Sequence, residues 1–299
     1  MRDLSVQRSL FRELIGLAGL LQCREILSAW AGMKVARIAV KPPLLNQTIA
    51  CLNQLELVVH ILPDLIFAKR DIGKGGWSNK YDERPGLHAS KGDYAVFVST
   101  SNKKLTQAVN ADIHGDEGEF GAKLGIPSCC VDFYLTNQAV AYQKQNDFVP
   151  MVAANTEGLY AFNFWNNYVS QYFGYSYLSF FPCSFNCEHA ALMAQTTHDL
   201  MHSLLPSEAD EIVHFQKQPI LYTEYRGIYL FEGAKFEHEK TTIKDSMLHS
   251  TLNPNKKSHQ FVSRSREIRV LAKGELQFTM EDKAVQLVKN RDWVMCTFI

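Results

Sequence analysis

Four of the seven cysteines occur as two pairs in similar local surroundings. Cys129 and Cys130 come directly after a Pro-Ser dipeptide, and Cys183 and Cys187 come directly before a strongly helical pattern. Each pair therefore lies where a helix is expected to begin. Unpaired N–H groups and the positive end of the helix dipole favour the thiolate form there, which is the form that binds metals or attacks electrophiles. The sequence thus predicts that both pairs converge on one metal or iron–sulfur site.

Several chemistries are compatible with these four cysteines. Soft thiolates select iron–sulfur clusters, and three or four of the residues could bind one. Adjacent cysteines rarely both bind one cluster, so Cys129 or Cys130 is expected to be left over beside a substrate. Zinc is the alternative metal, although neither pair has the usual CxxC spacing. Metal-free thiol chemistry and plain packing are the remaining interpretations. Of these, an iron–sulfur cluster is the favoured prediction, with Cys129, Cys130, Cys183 and Cys187 as its candidate ligands.

The two cysteine segments resemble those of an uncharacterised prokaryotic family. The first segment is LGIPSCCVDFY, residues 124–134, and the second is FPCSFNC, residues 181–187. Members of that family carry LGYPxCCVxFF followed by PCSxxC at the head of a helix. The resemblance covers residues 117–200, and Ile126 stands where the family tends to have an aromatic residue. The family carries no assigned activity, so the resemblance implies only that the four cysteines belong together.

Three residues near the cysteines are predicted to take part in catalysis. His189 is two residues from Cys187 and can carry a proton or act as an alternative ligand. Cys130 is a candidate for proton or sulfur transfer if it does not bind metal. Glu119 precedes the Cys-Cys turn in an acidic, Gly-rich segment and can supply a general acid or base. The default interpretation of that segment is a solvated acidic loop, because isolated charges in Gly-rich segments are mostly exposed.

An aromatic segment, residues 160–181, lies between the cysteine pairs. Core packing accounts for most of its rings. The hydroxyl groups of Tyr168 and Tyr172 are nevertheless predicted to line a cavity and orient a polar ligand or cofactor. An aromatic lining of this kind would also keep water away from an iron–sulfur cluster and tune the reduction potential of the cluster.

The composition argues against some partners and locations. The 299 residues include 31 basic and 31 acidic side chains, whereas nucleic-acid and anionic-membrane binders usually carry a basic excess. The one basic stretch, residues 256–269, is interpreted as a solvated loop and strand edge rather than an RNA contact. No segment has the roughly 20 apolar residues that span a bilayer. The sequence therefore predicts a cytoplasmic protein that acts on a small molecule, without a membrane anchor, and it gives no oligomeric state.

The other three cysteines, Cys23, Cys51 and Cys296, are each isolated among apolar neighbours. An odd number of cysteines in a chain of this size argues against disulfides. These three are predicted to be plain buried thiols, because a free cysteine behaves as a small hydrophobe.

The hydrophobic pattern predicts an α+β fold in three regions. Residues 1–110 form an N-terminal α/β region with a small mixed sheet, residues 111–205 a helical cysteine-bearing core, and residues 206–299 a β-rich antiparallel part. The Gly-rich segment from Asp71 to Asp93 is expected to be a surface loop or lid.

The combined prediction is an iron–sulfur metalloenzyme that acts on a small metabolite by redox or sulfur/lyase-type chemistry, as in small-molecule biosynthesis. The alternatives are a zinc-stabilised binding or RNA-associated module and a metal-free cysteine thiol enzyme.

Overall fold

The computed structural model describes residues 4–68, 74, 81–83, 92–144 and 146–299. Helices and antiparallel sheets occur in it together, with a small N-terminal sheet and a β-rich C-terminal part. The α+β prediction is therefore confirmed. In the described residues, no helix combines the length and the apolar character that crossing a membrane requires.

The helices, in chain order, are α1 (Leu4–Ala18), α2 (Leu20–Trp30), α3 (Leu45–Gln54), α4 (Asn102–Ile113), α5 (Glu117–Lys123), α6 (Ser128–Gln143), α7 (Val149–Ala154), α8 (Glu188–Leu204), α9 (Pro206–Gln216) and α10 (Lys257–Ser263). Short 3-10 turns cover Pro42–Leu44, Phe164–Asn166 and Tyr168–Phe173.

The strands are β1 (Ala36–Val40), β2 (Val58–Ala68), β3 (Tyr81–Glu83), β4 (Asp93–Ser99), β5 (Ile220–Thr223), β6 (Gly227–Glu232), β7 (Lys235–Glu237), β8 (Lys240–Thr242), β9 (Met247–Ser250), β10 (Ser265–Ala272), β11 (Glu275–Met280), β12 (Val285–Lys289) and β13 (Trp293–Cys296).

Unit 1 comprises Met1–Lys69, Asn79–Gln138 and Met193–Asp210. Its sheet has the order β1-β4-β2-β3, and β4 pairs antiparallel with both β1 and β2. The sequence predicted a small mixed sheet from apolar runs that are rich in branched residues. In the structure β1 and β2 run in the same direction but are not adjacent. The insertion of β4 between them makes all adjacent pairs among the described strands antiparallel. The apolar face of the sheet, including Phe97, packs against α4 through Leu105 and Ala108.

Unit 2 comprises Arg70–Ser78, Ala139–Leu192 and Glu211–Ile299. It contains a sheet of order β12-β11-β10-β8-β7 and another of order β13-β5-β6-β9. One core takes side chains from both sheets, among them Tyr229, Phe278 and Trp293. Buried and partly buried residues alternate along β11, as in a strand that packs one face against a core.

Some segments differ from their predicted form. The acidic segment before the Cys-Cys turn is the helix α5 rather than a loop. Its N-cap is Asp116, which accepts a hydrogen bond from the Glu119 backbone N–H at 2.9 Å. Pro206 begins α9 as well as following α8, because proline is tolerated in the first turn of a helix.

Most of the Gly-rich segment from Asp71 to Asp93 lies outside the described residues. The predicted division into residues 1–110, 111–205 and 206–299 stays a prediction. The two units described above are instead each built from three separate segments of the chain.

Candidate metal centre

The four clustered cysteines form a compact group, which we call the cysteine group. The Sγ atoms of Cys129, Cys130, Cys183 and Cys187 all lie within 4.8 Å of one another. The Sγ atoms of Cys129 and Cys130 are 3.9 Å apart, which is far longer than a disulfide bond. None of the seven cysteines, all of which are in the described part of the chain, forms a disulfide. The predicted meeting of the two pairs is therefore confirmed, and the group could bind a metal ion.

Cys129 and Cys130 lie in the first turn of α6, as predicted. The turn before this helix depends on Gly125, whose φ of +72° is a left-handed conformation that glycine adopts without strain. Its N–H donates to the Ala122 carbonyl at 3.0 Å, and the Ile126 N–H donates to the Gly121 carbonyl at 3.0 Å. These bonds end α5 and direct the chain into the start of α6.

Cys187 is the last residue before α8, and its carbonyl accepts the hydrogen bond of the Ala191 N–H at 3.0 Å. This carbonyl therefore begins the helical hydrogen-bond ladder, and Cys187 is the N-cap residue. Cys129, Cys130 and Cys187 therefore lie at helix N-termini, whereas Cys183 lies in the loop before α8.

The loop that carries Cys183 and Cys187 is fixed by side chains from an earlier segment. The Asn166 Nδ2 donates to the Phe185 carbonyl at 3.1 Å and to the Cys187 carbonyl at 3.0 Å. The Asn155 Nδ2 donates to the Cys183 carbonyl at 2.8 Å. These bonds satisfy the loop's carbonyl groups, so its backbone can lie away from water in one conformation.

The same loop is also anchored by an apolar side chain. Phe185 is completely buried, and its ring stacks on Phe162 at a centroid distance of 5.2 Å. The Phe185 N–H donates to the Thr156 Oγ1 at 2.9 Å. Sequence reasoning did not identify Asn155, Thr156 or Asn166 as part of the site. Single polar residues at these distances along the chain carry no signal that a motif search could have found.

The burial of the four cysteines is uneven. Cys130 and Cys187 are buried, whereas Cys129 and Cys183 are partly exposed. The partly exposed sulfurs of Cys129 and Cys183 are accessible to an incoming metal ion, while Cys130 and Cys187 are protected from water.

Two of the predicted catalytic residues lie on exposed parts of neighbouring helices. His189 is in the first turn of α8 and is exposed. Glu119 is half exposed in α5 and forms an ion pair with Lys123 at 2.8 Å. Neither residue belongs to the cysteine group, whereas Cys130 does. The catalytic roles of His189, Glu119 and Cys130 stay predictions.

Tyr168 and Tyr172 are buried in a polar cluster of unit 2. We call it the Asp147 cluster, and its members are Lys74, Asp147, Tyr168, Tyr172 and Tyr222. The Asp147 Oδ2 accepts a hydrogen bond from the Tyr222 hydroxyl and lies 2.7 Å from the Lys74 Nζ. The pKa of Tyr222 is raised well above its usual value, mainly by burial and secondly by the charge of Asp147. The pKa of Tyr168 is raised in the same way, mainly by burial and secondly by the electrostatic interaction with Tyr172. The predicted role of Tyr168 and Tyr172 in binding a ligand or cofactor stays a prediction.

The three isolated cysteines differ from the cysteine group. All are buried, as predicted. Burial raises the pKa of Cys23 to about 12 and, with help from Glu13, the pKa of Cys51 to about 11. Burial also raises the pKa of the Cys296 thiol. These thiols stay protonated at neutral pH, so they suit packing rather than metal binding.

The predicted basic stretch forms α10 and the start of β10. Arg264 follows α10 as its C-cap, and Arg269 lies 3.7 Å from Glu239 in an ion pair. An acidic partner at this position weakens the case for a phosphate-contacting surface.

Comparisons with protein-family models, with curated proteins and with solved structures found no match to this chain. The resemblance of residues 124–134 and 181–187 to an uncharacterised family therefore stays a prediction.

Proposed function

We propose that the cysteine group binds one tetrahedrally coordinated metal ion, and that this ion is zinc. The observation that carries the proposal is the compactness of the four sulfur atoms, which all lie within 4.8 Å of one another. Zinc is bound by thiolates at about 2.3 Å, so the edges of a regular tetrahedron of sulfurs around it measure about 3.8 Å. The distance of 3.9 Å between the Cys129 and Cys130 sulfurs agrees with that edge.

The same distances favour a single ion over the iron–sulfur cluster that the sequence suggested. In a cluster, cysteines that bind different irons are separated by the irons and their bridging sulfides. Their sulfur atoms therefore lie well beyond one tetrahedral edge from each other. A group of four sulfurs confined to 4.8 Å leaves room for one ion at its centre.

A site with four thiolate ligands has a structural rather than a catalytic role. All four coordination positions are filled, so no water or substrate is bound to the metal. The ion would cross-link the starts of α6 and α8, which are far apart in the chain. Because such a site does not exist in the unfolded chain, its binding free energy becomes folding free energy. Stable thiolates also require a reducing compartment, which supports the proposed cytoplasmic location.

The second candidate function is an iron–sulfur enzyme acting on a small metabolite. The partial exposure of Cys129 and Cys183 favours it, because a ligand at the surface can leave and open a position on the metal. Cys130, His189 and Glu119 would then be the groups that move protons or sulfur near that position. This candidate requires bound iron and acid-labile sulfide.

Metal analysis of protein purified without oxygen separates these candidates. We expect colourless protein with one zinc ion per chain and no acid-labile sulfide. Cobalt(II) exchanged into the site should give the intense visible bands of tetrahedral thiolate coordination. Brown protein with iron and labile sulfide would replace the zinc proposal by the iron–sulfur enzyme, and folded protein without any metal would overturn both.

Serine variants locate the site within the same experiment. Replacing Cys130 or Cys187 by serine should remove the metal, because both sulfurs are among the four that meet. The matched control is Cys51→Ser, which changes a buried cysteine outside the group. Equal metal loss in all three variants would show that the metal depends on overall folding and not on the cysteine group.

A further inference from the structure

Unit 2 contains a cavity of about 350 Å³ that is unrelated to the cysteine group. Its walls come from α7 and the residues that follow it, from the turn between β10 and β11, and from β13. The apolar part of the lining includes Leu159, Phe162, Val270, Leu276 and Met295. The volume falls near the lower end of the range of small-molecule sites, on the order of 300–1,000 Å³.

Two cationic residues are the only charged side chains among those that line this cavity in the described part of the chain. They are Lys273 and Arg291, and the lining residues include no aspartate or glutamate. A cavity with apolar walls and charges of one sign selects a ligand with an apolar body and an opposite charge.

Lys273 is held in a defined position at the cavity. Its Nζ donates to the Ala154 carbonyl at 2.9 Å and to the Thr156 carbonyl at 2.6 Å. A lysine ammonium group has three N–H donors, so one donor remains for a further acceptor. Because the two carbonyls already fix the side chain, little conformational entropy is lost when the third donor binds.

Arg291 is placed beside Lys273 by the glycine between β10 and β11. Gly274 has a φ of +76°, and a Cβ added to it would lie 2.8 Å from the Arg291 Cα. The Asn290 N–H donates to the Gly274 carbonyl at 2.8 Å. In the described part of the chain, no ion pair or side-chain hydrogen bond joins the Arg291 guanidinium to another residue. Lys273 and Arg291 both line the cavity and are exposed, so the ammonium and the guanidinium are open to an incoming ligand.

We propose that this cavity binds a small molecule with an apolar body and one carboxylate group. The guanidinium of Arg291 can form two parallel hydrogen bonds with a carboxylate, and the remaining Lys273 donor reinforces them. The apolar walls bury the body of the ligand, and burial of its surface provides the rest of the binding free energy. The proposal does not depend on the metal proposal, since the cavity shares no residue with the cysteine group.

Binding of three probes that share one apolar body tests the charge requirement. The probes are 4-phenylbutanoate, 4-phenylbutanol and 4-phenylbutylamine, measured with the full-length protein by isothermal titration calorimetry. We expect the carboxylate to bind at least tenfold more tightly than the alcohol and the amine not to bind. Equal binding of the acid and the alcohol, or no binding of the acid at millimolar concentration, would overturn the proposal.

Variants place the binding in this cavity. Arg291→Gln should weaken binding of 4-phenylbutanoate about tenfold, and Ala272→Phe should abolish it by filling the cavity. The control is Arg226→Gln, which removes the same charge from an exposed arginine of unit 2 that does not line the cavity. Circular dichroism and melting temperature verify that each variant is folded. If the two cavity variants fold and bind the acid as the control does, the ligand lies elsewhere and the inference is wrong.

Discussion

The cysteine group and the Asp147 cluster both contain ionisable side chains, but only the Asp147 cluster contains side chains of both charges. The Asp147 cluster contains its own cation, because Lys74 lies 2.7 Å from the Asp147 carboxylate and both side chains are at most 5% exposed. The cysteine group consists of four potential anions and contributes no cation. A buried charge requires an opposite charge nearby to be stable. The comparison teaches that the Asp147 cluster pairs its own charges, whereas the cysteine group could bind an added metal ion.

Removal of the metal should give the largest effect, and it tests this difference directly. We expect a chelator at neutral pH to lower the free energy of unfolding by more than about 5 kcal/mol, since structural zinc contributes folding free energy. Thermal unfolding monitored by circular dichroism measures the loss. Cys51→Ser protein should respond to the chelator like the wild type, because Cys51 is outside the group. Unchanged melting after verified metal removal would contradict the proposed structural role.

Neutralising the carboxylate of the Asp147 cluster should be the next largest effect. In Asp147→Asn, Lys74 faces a neutral amide in place of its buried carboxylate, and breaking a buried pair in this way costs about 3–5 kcal/mol. Asp292→Asn is the control, since Asp292 is partly exposed and its partner Lys144 keeps the Glu224 carboxylate. Urea unfolding should show a small change for the control, within about 1 kcal/mol. Similar losses in both variants would mean that burial does not decide the strength of these pairs.

Loss of the side chain that fixes the Cys183–Cys187 loop should have an intermediate effect. Asn166→Ala removes the donor to the Phe185 and Cys187 carbonyls, which we expect to cost about 1–3 kcal/mol and to weaken metal binding. A competition titration against a coloured chelator measures the affinity. The control is Asn253→Ala, which removes one exposed local hydrogen bond. Unaltered metal affinity in folded Asn166→Ala protein would show that the loop is positioned by other contacts.

Alkaline pH should produce the smallest effect, and Tyr222 contributes to this effect from the Asp147 cluster. Burial raises the pKa of Tyr222 above the value of about 10 that it has in the unfolded chain. The unfolded state therefore releases a proton first, so this contribution to stability is complete below pH 10 and decreases as the pH rises further. Urea unfolding between pH 8 and 11 should show a weaker decrease in Tyr222→Phe than in the wild type. The exposed Tyr142→Phe variant is the control and should keep the wild-type dependence.

Local patterns were sufficient to predict many elements of this protein. The predicted small N-terminal sheet corresponds to the sheet of β1 to β4, and the predicted β-rich C-terminal part corresponds to the sheets of β5 to β13. The acidic segment before the Cys-Cys turn was interpreted as a loop, although Asp116 and Glu119 have the spacing of a helix N-terminus. The loop interpretation rested on isolated charges in a Gly-rich segment, and the observed hydrogen bond to Asp116 shows that a helix begins there.

Residue types and spacing by themselves identified which cysteines matter, because thiolates at helix N-termini are a local property of the chain. The same reasoning identified Cys23, Cys51 and Cys296 as buried thiols. Only the tertiary structure decided the distances among the four sulfurs, on which the proposal of a single metal ion rests. It also decided the fixing of the loop by Asn166 and the pairing of Lys74 with Asp147, since contacts between residues far apart in sequence depend on packing and leave no periodic signal.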